Sequence, residues 1–208
     1  MNKKLIALGL GAAVSASAFA YGPAVVSITG GSPFGSYYGS VAGDVIGYGF
    51  TTGNDSMQVD ALGVWIDSDG LQSNHMVGIW DLATGGLVVS ADVDISSGFD
   101  QAGWHYNSVS SAILNANASY VAGALYFATD GDSYISSNTG LTMDPNLTHD
   151  SARFPDSSEL GFVMPGSISA GNLGRHGPNF ITSPVPEPAT LAVLGLGAAA
   201  LLRRRKKA

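Results

Sequence analysis

The stretch "LVVSADVDI", residues 87–95, has the clearest β-strand pattern in this chain. Every second residue is apolar and would lie on one face of an extended chain: Leu87, Val89, Ala91, Val93 and Ile95. Period-two alternation over nine residues is typical of a half-buried strand. The stretch therefore predicts β structure in the middle of the protein.

Similar short runs lie on both sides of this strand. They are "VIGYGFTT" (45–52), "MQVDALGVWI" (57–66), "HMVGIWD" (75–81), "AGWHYNSV" (102–109), "SYVAGALYFA" (119–128) and "LGFVM" (160–164). Turn signals separate them, and "DSDGLQSN" (67–74) is predicted as a hairpin connection. The pattern predicts an all-β, antiparallel β-sandwich of jelly-roll type over residues 21–167, with a closed barrel as the lesser alternative. Residues 168–184 are rich in Ser, Asn, Pro and Gly and are predicted to be a linker.

The order "ALGVW", "DGL", "HMVGIWD", "GGLVVSADV" and "ASYVAGA" resembles a β-sandwich module of unknown function from bacterial extracellular proteins. The resemblance covers roughly residues 46–128. Because the matching residues are mostly core and turn positions, it implies a fold and no chemistry.

The charge distribution is uneven along the 208 residues. Between Tyr21 and Pro188, two arginines face all 16 acidic residues, a net charge of −14. Such a surface repels phosphate backbones, so no nucleic-acid partner is expected, whereas cations are natural partners. The chain has no cysteine, which excludes thiolate metal sites and cysteine nucleophiles.

The N-terminus, residues 1–20, has the three parts of a secretory signal peptide. A basic start is followed by an apolar core and by Ala18-Phe19-Ala20, an A-x-A cleavage signal. The alternative is a membrane anchor, for which the apolar run is short.

The C-terminus, residues 185–208, combines three elements. Val185-Pro186-Glu187-Pro188 precedes an uncharged, helix-favouring segment at 189–202, and a basic tail at 203–207 consists of Arg203, Arg204, Arg205, Lys206 and Lys207. A comfortable membrane span needs about 20 residues, so this short transmembrane helix would be marginal. The basic tail would stay on the cytoplasmic side and stop transfer. A weak permanent anchor and a transient retention signal both fit this pattern.

This order of elements resembles the PEP-CTERM sorting signal of Gram-negative bacteria. The resemblance implies that an exosortase and the secretion machinery handle the chain. It implies cleavage near the Pro-Glu-Pro triplet after transient anchoring in the inner membrane. It also implies delivery to the cell surface or to an exopolysaccharide matrix.

Carboxylates two residues apart suggest a calcium site. Asp67 and Asp69 occupy one glycine-containing loop, and Asp130 and Asp132 occupy another. Calcium prefers six to eight oxygen ligands and favours such loops. The alternative is that Asp and Gly are ordinary turn residues, in which case the protein needs no cofactor.

Aromatic residues suggest a sugar-binding face, with Trp104 and Tyr106 as the best candidates because they lie in a polar stretch. The alternative is that they are buried in the core. No G-x-S-x-G or H-E-x-x-H motif occurs, so catalytic residues are not predicted. The sequence thus predicts a secreted, non-enzymatic surface or matrix protein. A calcium-dependent carbohydrate-binding module is the alternative, and a glycan-acting hydrolase a remote one.

Overall fold

The computed structural model describes residues 22–35, 43–156, 159–169 and 173–185. The predicted signal peptide with Ala18 and Ala20, the apolar segment 189–202 and the basic tail 203–207 lie outside these ranges. Within the described residues the fold is all-β and contains no helix. Consequently, this part of the chain holds no helix of the length and apolarity that crossing a membrane requires.

Thirteen strands follow one another along the described chain, and all their pairings are antiparallel. They are β1 (Gly22–Pro23), β2 (Val25–Gly35), β3 (Asp44–Thr52), β4 (Met57–Trp65), β5 (His75–Asp81), β6 (Leu87–Val93), β7 (Phe99–Gln101), β8 (Trp104–Leu114), β9 (Ser119–Tyr126), β10 (Ser133–Met143), β11 (Leu147–Phe154), β12 (Ser167–Ser169) and β13 (Pro178–Pro184).

The strands form two large sheets and one long two-stranded ribbon. The five-stranded sheet has the order β1-β13-β4-β8-β7, and the six-stranded sheet has the order β12-β11-β3-β9-β5-β6. The ribbon pairs β2 with β10. Strands that follow one another along the chain, such as β3 and β4 or β8 and β9, lie in different sheets, so the chain repeatedly crosses between them.

The main core lies between the two large sheets. Buried residues of both sheets belong to one apolar cluster, which includes Ile46 and Ile79 from one sheet and Leu62 and Phe180 from the other. The rings of Phe50 on β3 and Phe180 on β13 are 5.0 Å apart between their centroids. Burying these side chains is the dominant favourable contribution to folding.

A smaller apolar cluster covers the opposite face of the six-stranded sheet. Val45, Trp80 and Leu125 are buried there, with Phe162 and Met164 packed over them. A side chain at Gly123 would be 2.6 Å from Val45 Cγ1 and 3.1 Å from Trp80 Cζ3, so glycine is needed for this close packing. The segment 160–164 was predicted to be a strand, and this prediction is wrong. The segment has no strand pairing. Phe162 and Met164 cover the cluster as part of an irregular segment, whereas Leu160 and Val163 are exposed.

Two further predictions differ from the structure. The connection 67–74 was predicted as a hairpin, but β4 and β5 lie in different sheets and the connection crosses between them. Residues 168–184 were predicted to be a linker, but β13 (Pro178–Pro184) lies between β1 and β4 and is almost entirely buried. The apolar residues of β13 are part of the core. Their burial makes this segment a strand although the residues around it are polar.

Candidate functional site

The two loops predicted to bind calcium meet at one end of the sheets, around the side chain of Asp132. Its Oδ1 accepts a hydrogen bond from the Gln72 amide at 2.8 Å, and its Oδ2 accepts one from the Ser73 amide at 2.9 Å. The same Oδ2 accepts a third bond from His75 Nε2 at 3.0 Å. Asp132 therefore fastens the crossover between β4 and β5 to the loop after β9.

Asp130 is the second buried carboxylate of this cluster. Its Oδ2 accepts a hydrogen bond from the Phe127 amide at 2.6 Å, and its Oδ1 accepts one from the Asp132 amide at 3.1 Å. Its backbone carbonyl accepts a bond from the Ser73 hydroxyl at 2.8 Å. Burial raises the pKa of Asp130, while these amide hydrogen bonds and the charge of His75 oppose the increase. All four carboxylate oxygens of Asp130 and Asp132 thus have hydrogen-bond donors.

His75, the first residue of β5, is fully buried beside these carboxylates. Its Nδ1 lies 2.8 Å from the Leu125 carbonyl oxygen and its Nε2 lies 3.0 Å from Asp132. Both partners are acceptors, so the two contacts are satisfied together when both ring nitrogens carry a proton, and this geometry favours the positively charged imidazolium. Burial by itself lowers the pKa of His75, but the hydrogen bonds to Asp132 and Leu125 and the two carboxylate charges outweigh it and raise this pKa. In its protonated form, His75 therefore supplies a positive charge beside the two acidic residues.

The other two residues predicted as calcium ligands have different positions. Asp67 lies next to this cluster, where its Oδ2 accepts a bond from the Ser133 hydroxyl at 3.3 Å. Within the described parts of the chain, the Asp69 carboxylate has one hydrogen-bond contact, with the neighbouring Ser68 hydroxyl at 3.5 Å. Among the described residues, no three His, Cys, Asp or Glu side chains are grouped as metal ligands. Calcium binding stays a prediction. The geometry around Asp130 and Asp132 favours a structural role, in which their hydrogen bonds hold the two loops together.

The two aromatic residues predicted to bind sugar are both buried. Trp104 is 3% exposed and Tyr106 is 0% exposed, and both belong to the main core. The face of the Tyr106 ring is covered by Phe99 of β7, with the two ring centroids 5.7 Å apart and the planes inclined by 22°. Because both rings are buried, neither residue offers a ring face to a sugar, contrary to the prediction from the sequence.

Phe99 itself lines an open pocket of about 480 Å³ on the five-stranded sheet. The pocket is lined by Asp60, Ala61, Phe99, Gln101, Ser108 and Ile181. Sequence analysis missed it because "SSGFDQAG" shows turn residues on both sides of a single apolar one. The one sign of the pocket in the sequence is this isolated phenylalanine, Phe99, which is an apolar residue in a polar segment.

The C-terminal sorting element begins where the domain ends. Strand β13 ends at Pro184, and Val185 is the last residue of the described chain. Pro186, Glu187 and Pro188, together with the residues predicted to stop transfer, lie outside the described ranges. Fold and sequence together define an all-β domain followed directly by a C-terminal sorting signal.

Residues 184–206 match the family model of the PEP-CTERM protein-sorting motif. The chain thus carries a PEP-CTERM protein-sorting motif at its C-terminal end, and the sorting signal predicted from the sequence is confirmed. The motif implies export, sorting to the surface or membrane, and an exosortase as the sorting partner. No curated protein and no solved structure gave a significant match to the chain. The match covers the end of the chain and leaves the activity of the β domain to be inferred from its structure.

Proposed function

We propose that this protein is a non-enzymatic component of the cell surface or the exopolysaccharide matrix of a Gram-negative bacterium. In this proposal, the signal peptide at residues 1–20 directs export. The C-terminal segment then holds the chain at the inner membrane only transiently. An exosortase cuts near Pro186–Pro188 and so separates the β domain from its apolar segment and basic tail.

The observation that carries the proposal is the position of β13 relative to the motif. The strand supplies buried residues such as Phe180 and Ile181, and it ends at Pro184, two residues before Pro186 of the Pro-Glu-Pro triplet. A cut within this triplet therefore leaves every described strand in place. The released domain keeps its core and hence its stability, as a durable extracellular component requires.

The surroundings of two histidines support a non-enzymatic role. Both nitrogens of His75 are bonded to acceptors within the fold. In His105, Nδ1 lies 2.6 Å from Asp100, and Nε2 lies 2.7 Å from the Ser97 carbonyl oxygen. A general base must have a nitrogen within reach of the substrate proton, and in these two residues the nitrogens are already engaged.

We further propose the jelly-roll arrangement for the domain. Strand orders β1-β13-β4-β8 and β3-β9-β5-β6 support it. Numbered one to eight along the chain, these strands give the orders 1-8-3-6 and 2-7-4-5 of two interleaved four-stranded sheets. Double-sheet jelly rolls occur in lectin domains and viral capsid proteins.

The test of the proposed function follows the protein through cell fractions of its producer. The wild-type chain is expected in the surface or matrix fraction, and a variant with Pro186-Glu187-Pro188 replaced by three alanines is expected to stay in the membrane fraction. A strain without exosortase should reproduce the variant's distribution. Equal amounts in the matrix fraction from all three cultures would contradict the proposal.

A further inference from the structure

The pocket on the five-stranded sheet contains one carboxylate held in place by several strands. Asp60 Oδ2 accepts a hydrogen bond from the Ser183 hydroxyl of β13 at 2.6 Å. Its Oδ1 accepts one from Gln58 Nε2 at 2.6 Å and one from the Ser111 hydroxyl of β8 at 3.2 Å. A carboxylate oxygen has room for about two donors, so Oδ2 keeps one acceptor position that these contacts do not use.

Asp60 is also the extra residue of a β-bulge. Ala61 and Val59 of β4 pair with the consecutive residues Ile181 and Thr182 of β13, which leaves Asp60 without a partner on that strand. The pairing of β4 with β8 is irregular at the same place. Bulges redirect a side chain and are frequent next to functional sites. Here the bulge places a rigidly held acceptor at the wall of the pocket.

Phe99 forms the aromatic part of the same pocket. It is 42% exposed, although it belongs to a short strand that is paired with β8. Tyr106 stacks behind it and fixes the orientation of the ring. The pocket thus combines an exposed ring of fixed orientation with polar groups, which are the Asp60 carboxylate and the side chains of Gln101 and Ser108. A polar ligand with an apolar face requires both features.

We propose that this pocket binds a neutral sugar unit of a glycan. The C–H groups on one face of a sugar ring suit the electron-rich face of Phe99. Its hydroxyl groups can donate to Asp60 and exchange hydrogen bonds with Gln101 and Ser108. The pocket has no lysine or arginine among its lining residues, and it belongs to a strongly acidic domain. An anionic sugar would therefore be repelled.

This site adds glycan binding to the proposed matrix role, and the natural source of the glycan rests on that proposed function. The binding itself does not require sorting. It uses none of the four aspartates predicted to bind calcium. The test is affinity electrophoresis of the protein purified from the producer, with or without its C-terminal motif. The probes are the neutral polysaccharides dextran, galactomannan and hydroxyethyl cellulose and the anionic polysaccharide polygalacturonate. We expect at least one neutral probe to retard the protein and polygalacturonate not to retard it. EDTA should not change the retardation.

Variants locate the binding in the pocket. Phe99→Ala is expected to weaken retardation at least about fivefold, whereas Phe99→Tyr keeps it within about twofold. Gln101→Ala, which removes a polar group and leaves the ring in place, should weaken it as well. Ile95→Ala is the matched control, because Ile95 is 46% exposed and does not line the pocket. Circular dichroism checks that each variant is folded.

The proposal is overturned if wild-type protein is retarded by no neutral probe, or if polygalacturonate retards it more strongly. It is also overturned if folded Phe99→Ala and Gln101→Ala bind like the wild type, or if EDTA abolishes binding. None of these results depends on cleavage at the motif, so a failure of the sorting proposal is seen separately in the cell fractions.

Discussion

Replacing Asp132 with alanine removes the carboxylate that joins two loops and a buried histidine. The variant loses three hydrogen bonds of 2.8 to 3.0 Å, from the amides of Gln72 and Ser73 and from His75 Nε2. The imidazolium of His75 stays buried without its closest counter-charge. Breaking a buried ion pair by removing one partner costs about 3–5 kcal/mol, a large share of the 5–15 kcal/mol typical of a folded domain.

The assay is urea unfolding of mature protein at several pH values. The raised pKa of His75 means that the folded state holds its proton more tightly than the unfolded state. Its stabilising contribution is therefore complete below the ordinary histidine pKa and is lost as the pH rises through the folded-state value. In Asp132→Ala this loss at rising pH should be much smaller, because the strongest acceptor for the proton is absent.

Asp69→Ala is the matched control, since Asp69 belongs to the same crossover but is bound to neither Asp132 nor His75. We expect it to change the free energy of unfolding by less than about 0.5 kcal/mol. The reasoning is refuted if Asp132→Ala costs less than about 1 kcal/mol, or if its stability depends on pH above neutrality as strongly as that of the wild type.

Three further outcomes are expected. Phe180→Ala should lower the free energy of unfolding in urea titrations by about 3–5 kcal/mol, because this ring of β13 is fully buried. A loss below about 1 kcal/mol would contradict a structural role for that strand. Burial, and secondarily the charge of His149, lowers the pKa of His176 to about 3, whereas the unfolded residue titrates near 6.5. The free energy of unfolding of the wild type should thus decrease as the pH falls from 6.5 towards 3. This decrease should exceed that of His176→Phe by on the order of 4 kcal/mol. Parallel pH profiles of the two proteins would refute this. EDTA should leave the melting temperature unchanged, because donors already occupy the carboxylate oxygens of Asp130 and Asp132; a decrease that calcium reverses would instead establish the calcium site.

The strands that the sequence predicted are those whose apolar residues recur within one short run. "HMVGIWD" and "MQVDALGVWI" correspond to β5 and β4 with ends shifted by at most one residue. Strands β2 and β10 were missed because they are rich in Ser, Gly and Thr and pair chiefly with each other. Strand β13 was missed for a related reason. Its burial depends on partners more than 100 residues away, which local composition does not reveal.

The candidate sites were harder to predict because they depend on contacts between distant strands. The polar stretch around Trp104 and Tyr106 suggested that these rings are accessible, but it did not show that both are buried or that Phe99 covers the Tyr106 ring. The Asp67 and Asp130 loops do lie together, as a shared calcium site would require, yet the sequence did not show that His75 supplies the positive charge between them. The sorting motif was predictable in full because its elements are contiguous in the chain.

The most direct test of the sorting account is mass spectrometry of the C-terminus of the protein isolated from the producer's surface or medium. The account predicts a chain that ends near Pro186–Pro188, that contains the whole of β13, and that lacks the residues from 189 onward. Intact protein whose last peptide ends in Arg-Arg-Arg-Lys-Lys-Ala would contradict it.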